Sequence, residues 1–152
     1  MSQRFRHRIR VRINECDPQG VAFFANYLMY VDVAMTELWR EAFGGYAAMV
    51  ETGTDVMVAE ARLRYRGSAR FDDEIDVVLW GAALGDSSVV TPFALERASD
   101  GAVLVEGEVR QVFVDGTSYE KRSMPTRVRE GLERHLAVEP AEAGGEREQV
   151  GR

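Results

Sequence analysis

The chain has 152 residues, 45% of them hydrophobic, and a formal net charge of -6 at pH 7. This length suits one domain that buries roughly 68–70% of its unfolded surface. The acidic balance argues against nucleic acid as a partner, because phosphate binding needs a basic surface. The single cysteine, Cys16, excludes an internal disulfide and any zinc-binding Cys-x-x-Cys spacing.

The composition also bears on membrane association. The N-terminal residues alternate arginine with apolar residues, whereas a secretory signal carries a continuous apolar run. No stretch reaches the roughly 20 apolar residues that a membrane-spanning helix needs. We therefore expect a cytoplasmic protein without a membrane partner.

The first half of the chain predicts a strand followed by a long helix. Residues 4–13 alternate arginine with apolar side chains, which is typical of a half-buried strand. From Ala25 to Phe43 the apolar residues recur at helical spacing in a wide stripe, and Gly44-Gly45 ends the pattern. Residues 46–52 predict a short helical turn.

The second half predicts four strands and a final helix. The strands fall near residues 56–65, 75–80, 89–95 and 104–114. In the strand at 56–65, the residues predicted to face inward are Met57, Ala59, Ala61, Leu63 and Tyr65. Pro92 favours an edge or a bulge in its strand. Pro125 opens the final helix, which runs to about residue 136. Residues 137–152 have few apolar side chains and are expected to form a disordered tail.

This order of elements indicates the fold class. The wide apolar stripe of the long helix has to be buried against a sheet. We therefore predict an α+β fold in which a long central helix is wrapped by a five-stranded antiparallel sheet. Residues 1–136 are expected to form this single domain.

The segment between the first strand and the long helix carries the chemistry. Asp17 precedes Pro18 and is followed by Gly20, shortly before the predicted helix start. The first turn of a helix has unpaired backbone N–H groups that can hold an oxygen as it becomes negative, while a carboxylate attacks or activates water. By spacing alone, a local turn bond is the more common role of such an aspartate.

Several motifs resemble those of a known family. The run Cys16-Asp17-Pro18-Gln19-Gly20-Val21, followed by Asn26-Tyr27 and a helix through Trp39, resembles the signature of the 4-hydroxybenzoyl-CoA thioesterase family. The likeness continues through 64–66 (Arg-Tyr-Arg) and 71–74 (Phe-Asp-Asp-Glu). Members of that family are hotdog-fold acyl-thioester hydrolases. The resemblance implies hydrolysis of an acyl- or aroyl-CoA thioester and self-association as a dimer or tetramer, with a homotetramer as our expectation.

We assign roles to the residues of this segment. Asp17 is the predicted nucleophile or general base, and the backbone N–H of Phe24 is the predicted oxyanion donor. The predicted substrate-binding residues are Gly20, Val21, Phe23, Asn26 and Tyr27. The chain has no Gly-x-Ser-x-Gly, Walker A or metal-ligand pattern, so we expect no cofactor beyond the coenzyme A of the substrate.

The carrier of the acyl group is open at this stage. Aryl-CoA members of the family can place basic residues just before the strand that starts here near Ser87, where this chain has Gly85-Asp86. Substitute carrier-binding residues are Arg64, Arg66, Lys121 and Arg122. An acyl-carrier-protein thioesterase is therefore an alternative.

Two further alternatives differ in chemistry. Glu37 lies in the long helix and is a rival catalytic carboxylate, since some hotdog thioesterases use a helix glutamate. A hydratase would use a histidine, but His7 and His135 lie outside the loop and helix junction. A hotdog protein that binds acyl groups without hydrolysing them would keep the pocket and release no thiol.

Overall fold

The computed structural model describes residues 4–81 and 83–136. The strands are β1 (Phe5–Arg10), β2 (Thr54–Tyr65), β3 (Glu74–Leu79), β4 (Ala83–Leu84), β5 (Ser88–Arg97) and β6 (Val103–Asp115). The helices are α1 (Asn26–Phe43), α2 (Tyr46–Val50) and α3 (Thr126–His135), and a 3-10 turn covers Ile13–Glu15. The predicted tail at 137–152 lies outside the described residues.

All strands belong to one antiparallel sheet in the order β1-β3-β5-β6-β2, and β4 pairs with β5. The sheet thus has six strands instead of the predicted five. The additional strand, β4, has only two residues, which is too short to produce a periodic pattern in the sequence.

Helix α1 packs its wide apolar face against the sheet, as predicted. Val31, Ala34 and Leu38 on the helix are at most 1% exposed, and so are Ile75 and Leu79 on β3. Helix α3 crosses the C-terminal half of α1. This arrangement of a long helix wrapped by one sheet confirms the predicted α+β fold, and it leaves the N-terminal end of α1 beside the loop that carries Asp17.

The first strand is shorter than predicted. Strand β1 ends at Arg10, and the chain then turns at Ile13–Glu15, where Ile13 is 69% exposed. The alternation of residues continued past the end of the strand because an exposed apolar residue happened to keep the period.

Strand β2 contains a bulge between Val58 and Glu60, and this corrects the predicted inward face. A bulge adds one residue to a strand and shifts its alternation. Val56 and Leu63, on either side of the bulge, both pack against the core. Met57 and Ala59, predicted to face inward, are exposed, and Met57 is 50% exposed.

Pro92 lies in β5, which is a central strand and not an edge. The Trp80 N–H donates a 3.4 Å hydrogen bond to the Pro92 carbonyl oxygen, just after β3 ends. The nitrogen of a strand residue points the same way as its carbonyl. The Pro92 nitrogen therefore faces Trp80 as well, and because it carries no hydrogen it cannot return the second bond of this pair, at the point where β3 ends.

Candidate active site

The loop before α1 is a closed turn centred on Pro18. The Gly20 N–H donates a 2.9 Å bond to the Asp17 carbonyl, and the Asp17 N–H donates a 2.9 Å bond to the Val21 carbonyl. Proline at the second position of a turn and aspartate at the first are favoured there. Gly20 has φ of 77°, a left-handed conformation that glycine adopts without strain. The loop therefore holds Asp17 in one backbone conformation.

The Asp17 side chain is half-buried and only partly engaged. Its Oδ1 accepts a 2.8 Å hydrogen bond from the Gln19 N–H, which is the local turn bond expected for such an aspartate. Oδ2 forms no hydrogen bond with any residue that the structure describes. The turn bond thus orients the carboxylate and leaves one oxygen available for chemistry.

A second segment fixes both the loop and the start of the helix. The Ala22 N–H donates a 2.8 Å bond to the Ala69 carbonyl, and Val21 pairs with Arg70. The Ala69 N–H in turn donates to the Tyr27 hydroxyl at 2.9 Å. The Asp17 loop and α1 therefore share one anchor.

The backbone donors at the helix start are not equivalent. The Phe23 N–H donates a 2.9 Å bond to the Glu15 carbonyl, and the Asn26 N–H donates to the Phe23 carbonyl at 2.8 Å. The N–H of Phe24 forms no hydrogen bond within residues 4–81 and 83–136. Phe24, and not Phe23, thus has the free donor that an oxyanion site requires.

Glu15 is a part of this site that sequence reasoning missed. Its carboxylate is 6% exposed and accepts hydrogen bonds from the Tyr30 hydroxyl at 3.0 Å and the Arg12 N–H at 2.9 Å. Its carbonyl oxygen also accepts a 2.8 Å bond from Asn26 Nδ2. Glu15 therefore connects the end of the β1 segment to the first turn of α1. The sequence signal was Arg12 three residues earlier, at the spacing of a capping box.

The electrostatics of Glu15 follow from these contacts. Burial by itself would raise the pKa of Glu15, but the hydrogen bonds from Arg12 and Tyr30 outweigh it and hold that pKa below its usual value. Burial and the bond to Glu15 raise the pKa of the Tyr30 hydroxyl. At neutral pH the pair is an ionised carboxylate and a neutral phenol.

Tyr65 links β2 to the helix start. Its hydroxyl donates a 3.1 Å bond to the Phe24 carbonyl oxygen, and its ring lies 5.8 Å from the Tyr27 ring between centroids. Burial raises the pKa of Tyr27, and the charge of Asp17 contributes in the same direction.

The predicted substrate-binding residues all lie in this loop and helix start. Gly20 is exposed and Val21 half-buried, and Phe23 is 44% exposed with its ring centroid 4.8 Å from that of Phe24. The side-chain amide of Asn26 donates to the Glu15 carbonyl, and the Tyr27 hydroxyl accepts from the Ala69 N–H. Those two residues hold the loop against the start of α1, whereas the ring of Phe23 is exposed.

The four predicted carrier-binding residues are not brought together. Arg64 and Arg66 lie at the C-terminal end of β2 beside Glu106, with Arg66 Nε at 2.9 Å from its Oε1. Arg122 donates to the Gly53 carbonyl at 2.7 Å, before the other end of that strand, and Lys121 is its neighbour in sequence. A strand of 12 residues separates the two pairs, about 40 Å at 3.3 Å per residue.

The rival catalytic groups lie elsewhere. Glu37 is about 20 Å further along α1 than Phe24, at 1.5 Å per residue, and it pairs with Arg40. The His135 Nδ1 donates a 2.8 Å bond to the Gly131 carbonyl in α3. Neither residue lies at the loop and helix junction.

A groove opens beside the start of α1. It has a volume of about 410 Å³, and its walls include Ala25, Leu28, Met29, Asp32, Val58 and Gln111. The first four come from the loop and helix, and the last two from β2 and β6. The groove is mostly apolar.

The described part of the chain contains neither a membrane-spanning helix nor a metal-binding cluster. No helix there is long and apolar enough to cross a membrane. No group of three or more His, Cys, Asp or Glu side chains there has a metal-binding arrangement.

Comparison with known sequences identifies relatives. Residues 11–132 match the family model described as Thioesterase-like superfamily. Acyl-CoA thioester hydrolase YbgC of Escherichia coli O157:H7 is 26% identical over 121 residues, which cover 80% of this chain and 90% of that protein.

Solved structures share the fold. A 1,4-dihydroxy-2-naphthoyl-CoA thioesterase from Synechocystis has a TM-score of 0.79 at 15% identity, covering 85% of this chain and 95% of that one. A Staphylococcus aureus protein in complex with CoA has a TM-score of 0.82 at 14% identity, covering 96% and 92%. These likenesses confirm the predicted hotdog fold.

Proposed function

Because the chain belongs to the thioesterase-like superfamily and is a thioester hydrolase, we propose that it hydrolyses an acyl- or aroyl-CoA to the free acid and CoA at the junction of the Asp17 loop and α1. One observation carries this proposal. Among the described residues, neither Oδ2 of Asp17 nor the N–H of Phe24 has a hydrogen-bond partner, and both belong to one loop and helix start that shared hydrogen bonds hold in place.

The two groups divide the reaction between them. Asp17 attacks the thioester carbonyl carbon, or removes a proton from a water that does so. The carbonyl oxygen becomes negative and accepts a hydrogen bond from the Phe24 N–H, aided by the positive end of the α1 dipole. The carbon–sulfur bond then breaks and the CoA thiolate leaves. On the base route it takes back the proton that Asp17 removed from water, and the acid is already formed. On the nucleophile route a water then hydrolyses the acyl-aspartyl anhydride, which releases the acid, restores Asp17 and supplies the proton for CoA.

Within the superfamily we assign the chain to the 4-hydroxybenzoyl-CoA thioesterase family, on the residues 16–21 and 26–27 of the loop and helix start. The names of YbgC and of the Synechocystis thioesterase, both of which act on CoA thioesters, support CoA as the carrier. Arg64 and Arg66 flank Tyr65, but side chains alternate along a strand, and both arginines pair with Glu106 on the face away from Phe24. Lys121 and Arg122 lie at the other end of β2 within one protomer, and their part in carrier binding stays a prediction.

The acyl-carrier-protein alternative has a direct test. The same acyl group is presented on CoA and on acyl carrier protein, and kcat/KM is compared. We expect a clear preference for CoA. A higher kcat/KM on acyl carrier protein would instead identify the chain as an acyl-carrier-protein thioesterase.

We also propose that the chain self-associates as a dimer or tetramer. Strand β2 is an edge of the sheet, has 12 residues, and exposes Met57 and Val58. A long, apolar edge strand is a template for pairing with another chain. Light scattering after size-exclusion chromatography is expected to give two or four times the monomer mass. A monomer at micromolar concentration would contradict this proposal.

The hydrolase assignment is tested with Asp17→Asn. Asparagine retains an oxygen for the Gln19 N–H but cannot serve as nucleophile or base, so we expect kcat on a panel of acyl-CoAs to fall by at least about 100-fold without a change in fold. The control is Asp72→Asn, whose exposed carboxylate makes only a surface ion pair.

Free-thiol release decides the outcome. A near wild-type rate in Asp17→Asn would overturn the role of Asp17. Wild-type protein that binds acyl-CoA and releases no thiol would instead favour the acyl-binding alternative.

A further inference from the structure

We propose that Gln111 anchors the far end of the acyl group and makes the groove selective for acyl groups that carry a hydroxyl. This inference rests on the proposed function, because the groove becomes the acyl site only if the thioester lies at the Asp17 loop. Nothing in the loop and helix motif requires a polar residue at position 111.

The groove continues from the proposed reaction centre. Ala25, at its near end, follows Phe24 directly in the chain. Leu28, Met29 and Asp32 extend the same side of α1, since residues three and four apart share a helix face. From Ala25 to Asp32 the helix rises about 10 Å, which is the length of one aromatic ring with a substituent or of a short chain. The volume of about 410 Å³ lies within the range of small-molecule sites.

Gln111 lies on the opposite wall. It pairs in register with Val58 across β2 and β6, and both side chains line the groove. Gln111 is only 7% exposed, and its neighbour on the same face of β6, Val109, is apolar and 4% exposed. A polar side chain has therefore been placed on the inward face of a strand.

The amide of Gln111 lacks a protein partner. Its Oε1 is buried and forms no hydrogen bond with any described residue. Such buried, unpaired acceptors are uncommon because removal from water is costly when no hydrogen bond replaces the lost one. A ligand that brings a donor into the groove supplies the missing bond.

The chemistry of the walls narrows the ligand. An amide both accepts and donates, so it matches a hydroxyl group, which also does both. Asp32, the other polar residue of the wall, carries a negative charge and disfavours an acyl group that ends in a carboxylate. The apolar walls accommodate the body of a ring or chain. The preferred class is thus an uncharged acyl group with one hydroxyl at its far end.

The experiment compares pairs of acyl-CoAs that differ by one hydroxyl, benzoyl with 4-hydroxybenzoyl and butyryl with 4-hydroxybutyryl. Of the two hydroxylated substrates, we consider the one that wild-type protein hydrolyses faster. We expect its kcat/KM to be about three- to tenfold above that of its unsubstituted partner, which corresponds to the free energy of one neutral hydrogen bond. In Gln111→Met, which keeps the length of the side chain and removes the amide, this ratio falls to about one. The loss appears in KM and is larger for the hydroxylated substrate than for the unsubstituted one.

The chain offers a matched control. Thr54 is also buried with an unpaired Oγ1, and it does not line the groove. Thr54→Val removes a similar unpaired group and is expected to leave the hydroxyl preference unchanged. Thermal unfolding of both variants checks that each is folded.

A binding measurement separates this inference from the proposed function. Calorimetric titration of Asp17→Asn with both members of each pair reports the hydroxyl preference without turnover. If wild-type protein releases no thiol, the proposed function fails. Even then, a binding preference for the hydroxylated member that disappears when Gln111→Met is added to Asp17→Asn supports the role of Gln111. Equal binding of both members, or a preference that survives Gln111→Met, overturns the inference.

Discussion

The Tyr65 hydroxyl on β2 donates a 3.1 Å hydrogen bond to the carbonyl oxygen of Phe24, whose own N–H bonds to none of the described residues. A strand that is distant in sequence thereby fixes the backbone on which the proposed oxyanion donor lies. The ring of Tyr65 packs edge-on against both Phe24 and Tyr27.

Tyr65→Phe tests this contact. The phenylalanine ring keeps the aromatic packing and loses only the hydrogen bond, so the Phe24 peptide becomes less well oriented. We expect kcat to fall about three- to tenfold, the size of one hydrogen bond, with little change in KM. Steady-state kinetics on the best acyl-CoA measures both constants. Tyr119→Phe, at an exposed tyrosine, is the control.

Phe24→Ala separates the main chain of Phe24 from its side chain. Alanine retains the backbone N–H, so the oxyanion donor remains. We expect kcat to stay within about tenfold of wild type, in contrast to the roughly 100- to 1,000-fold loss typical when such a donor is removed. KM is expected to rise because an exposed ring beside Phe23 is lost. A kcat loss as large as that of Asp17→Asn would argue against a purely backbone role.

Glu15→Gln tests the buried carboxylate. Because its folded-state pKa lies below the unfolded value of about 4.3, Glu15 stabilises the fold fully above that pH. This contribution is lost as the pH falls through the folded-state pKa. The variant is therefore expected to have a lower Tm at pH 7, and the difference should shrink below about pH 4.

The Glu15 measurement is a set of thermal unfolding curves between pH 3.5 and about 7. Glu133→Gln, an exposed carboxylate on α3, serves as the control and should leave the curve unchanged. A difference in Tm that is constant across this range would show that the charge of Glu15 is not what stabilises the loop.

Gly131→Ala tests the crossing of α3 over α1. An alanine in the middle of a helix usually stabilises it by about 0.5–1 kcal/mol relative to glycine. Here the added Cβ would lie 2.3 Å from the Ala42 carbonyl oxygen, so the helices must move apart. We expect a loss of about 1–3 kcal/mol in the free energy of unfolding, measured with urea. A gain in stability would contradict the packing described here.

The fold was predictable because its main elements have clear periods. The apolar stripe from Tyr27 to Phe43 and the alternation in β3, β5 and β6 all reappear as buried faces. Each failure has a specific cause. The bulge after Val58 depends on cross-strand pairing with β6, and β4 is too short to show a period.

The candidate site was predictable only in part. The Asp17-Pro18-Gln19-Gly20 turn is encoded locally, and the structure contains it. The contacts of Tyr65 with Phe24 and of Glu15 with Tyr30 join different secondary-structure elements, so no local sequence pattern predicts them. Gln111 did leave a signal, as a polar residue between the inward-facing Val109 and Phe113.

The shared anchor of the loop and helix has a consequence for substrate choice. Because Ala69 holds Ala22 and Tyr27 at once, the segment that bears Asp17 cannot open like a hinged flap without also displacing the first turn of α1. Discrimination between thioesters therefore has to arise from how well each acyl group fits a rigid cleft. The side chains that line the walls are then the positions at which substitutions can produce new specificities.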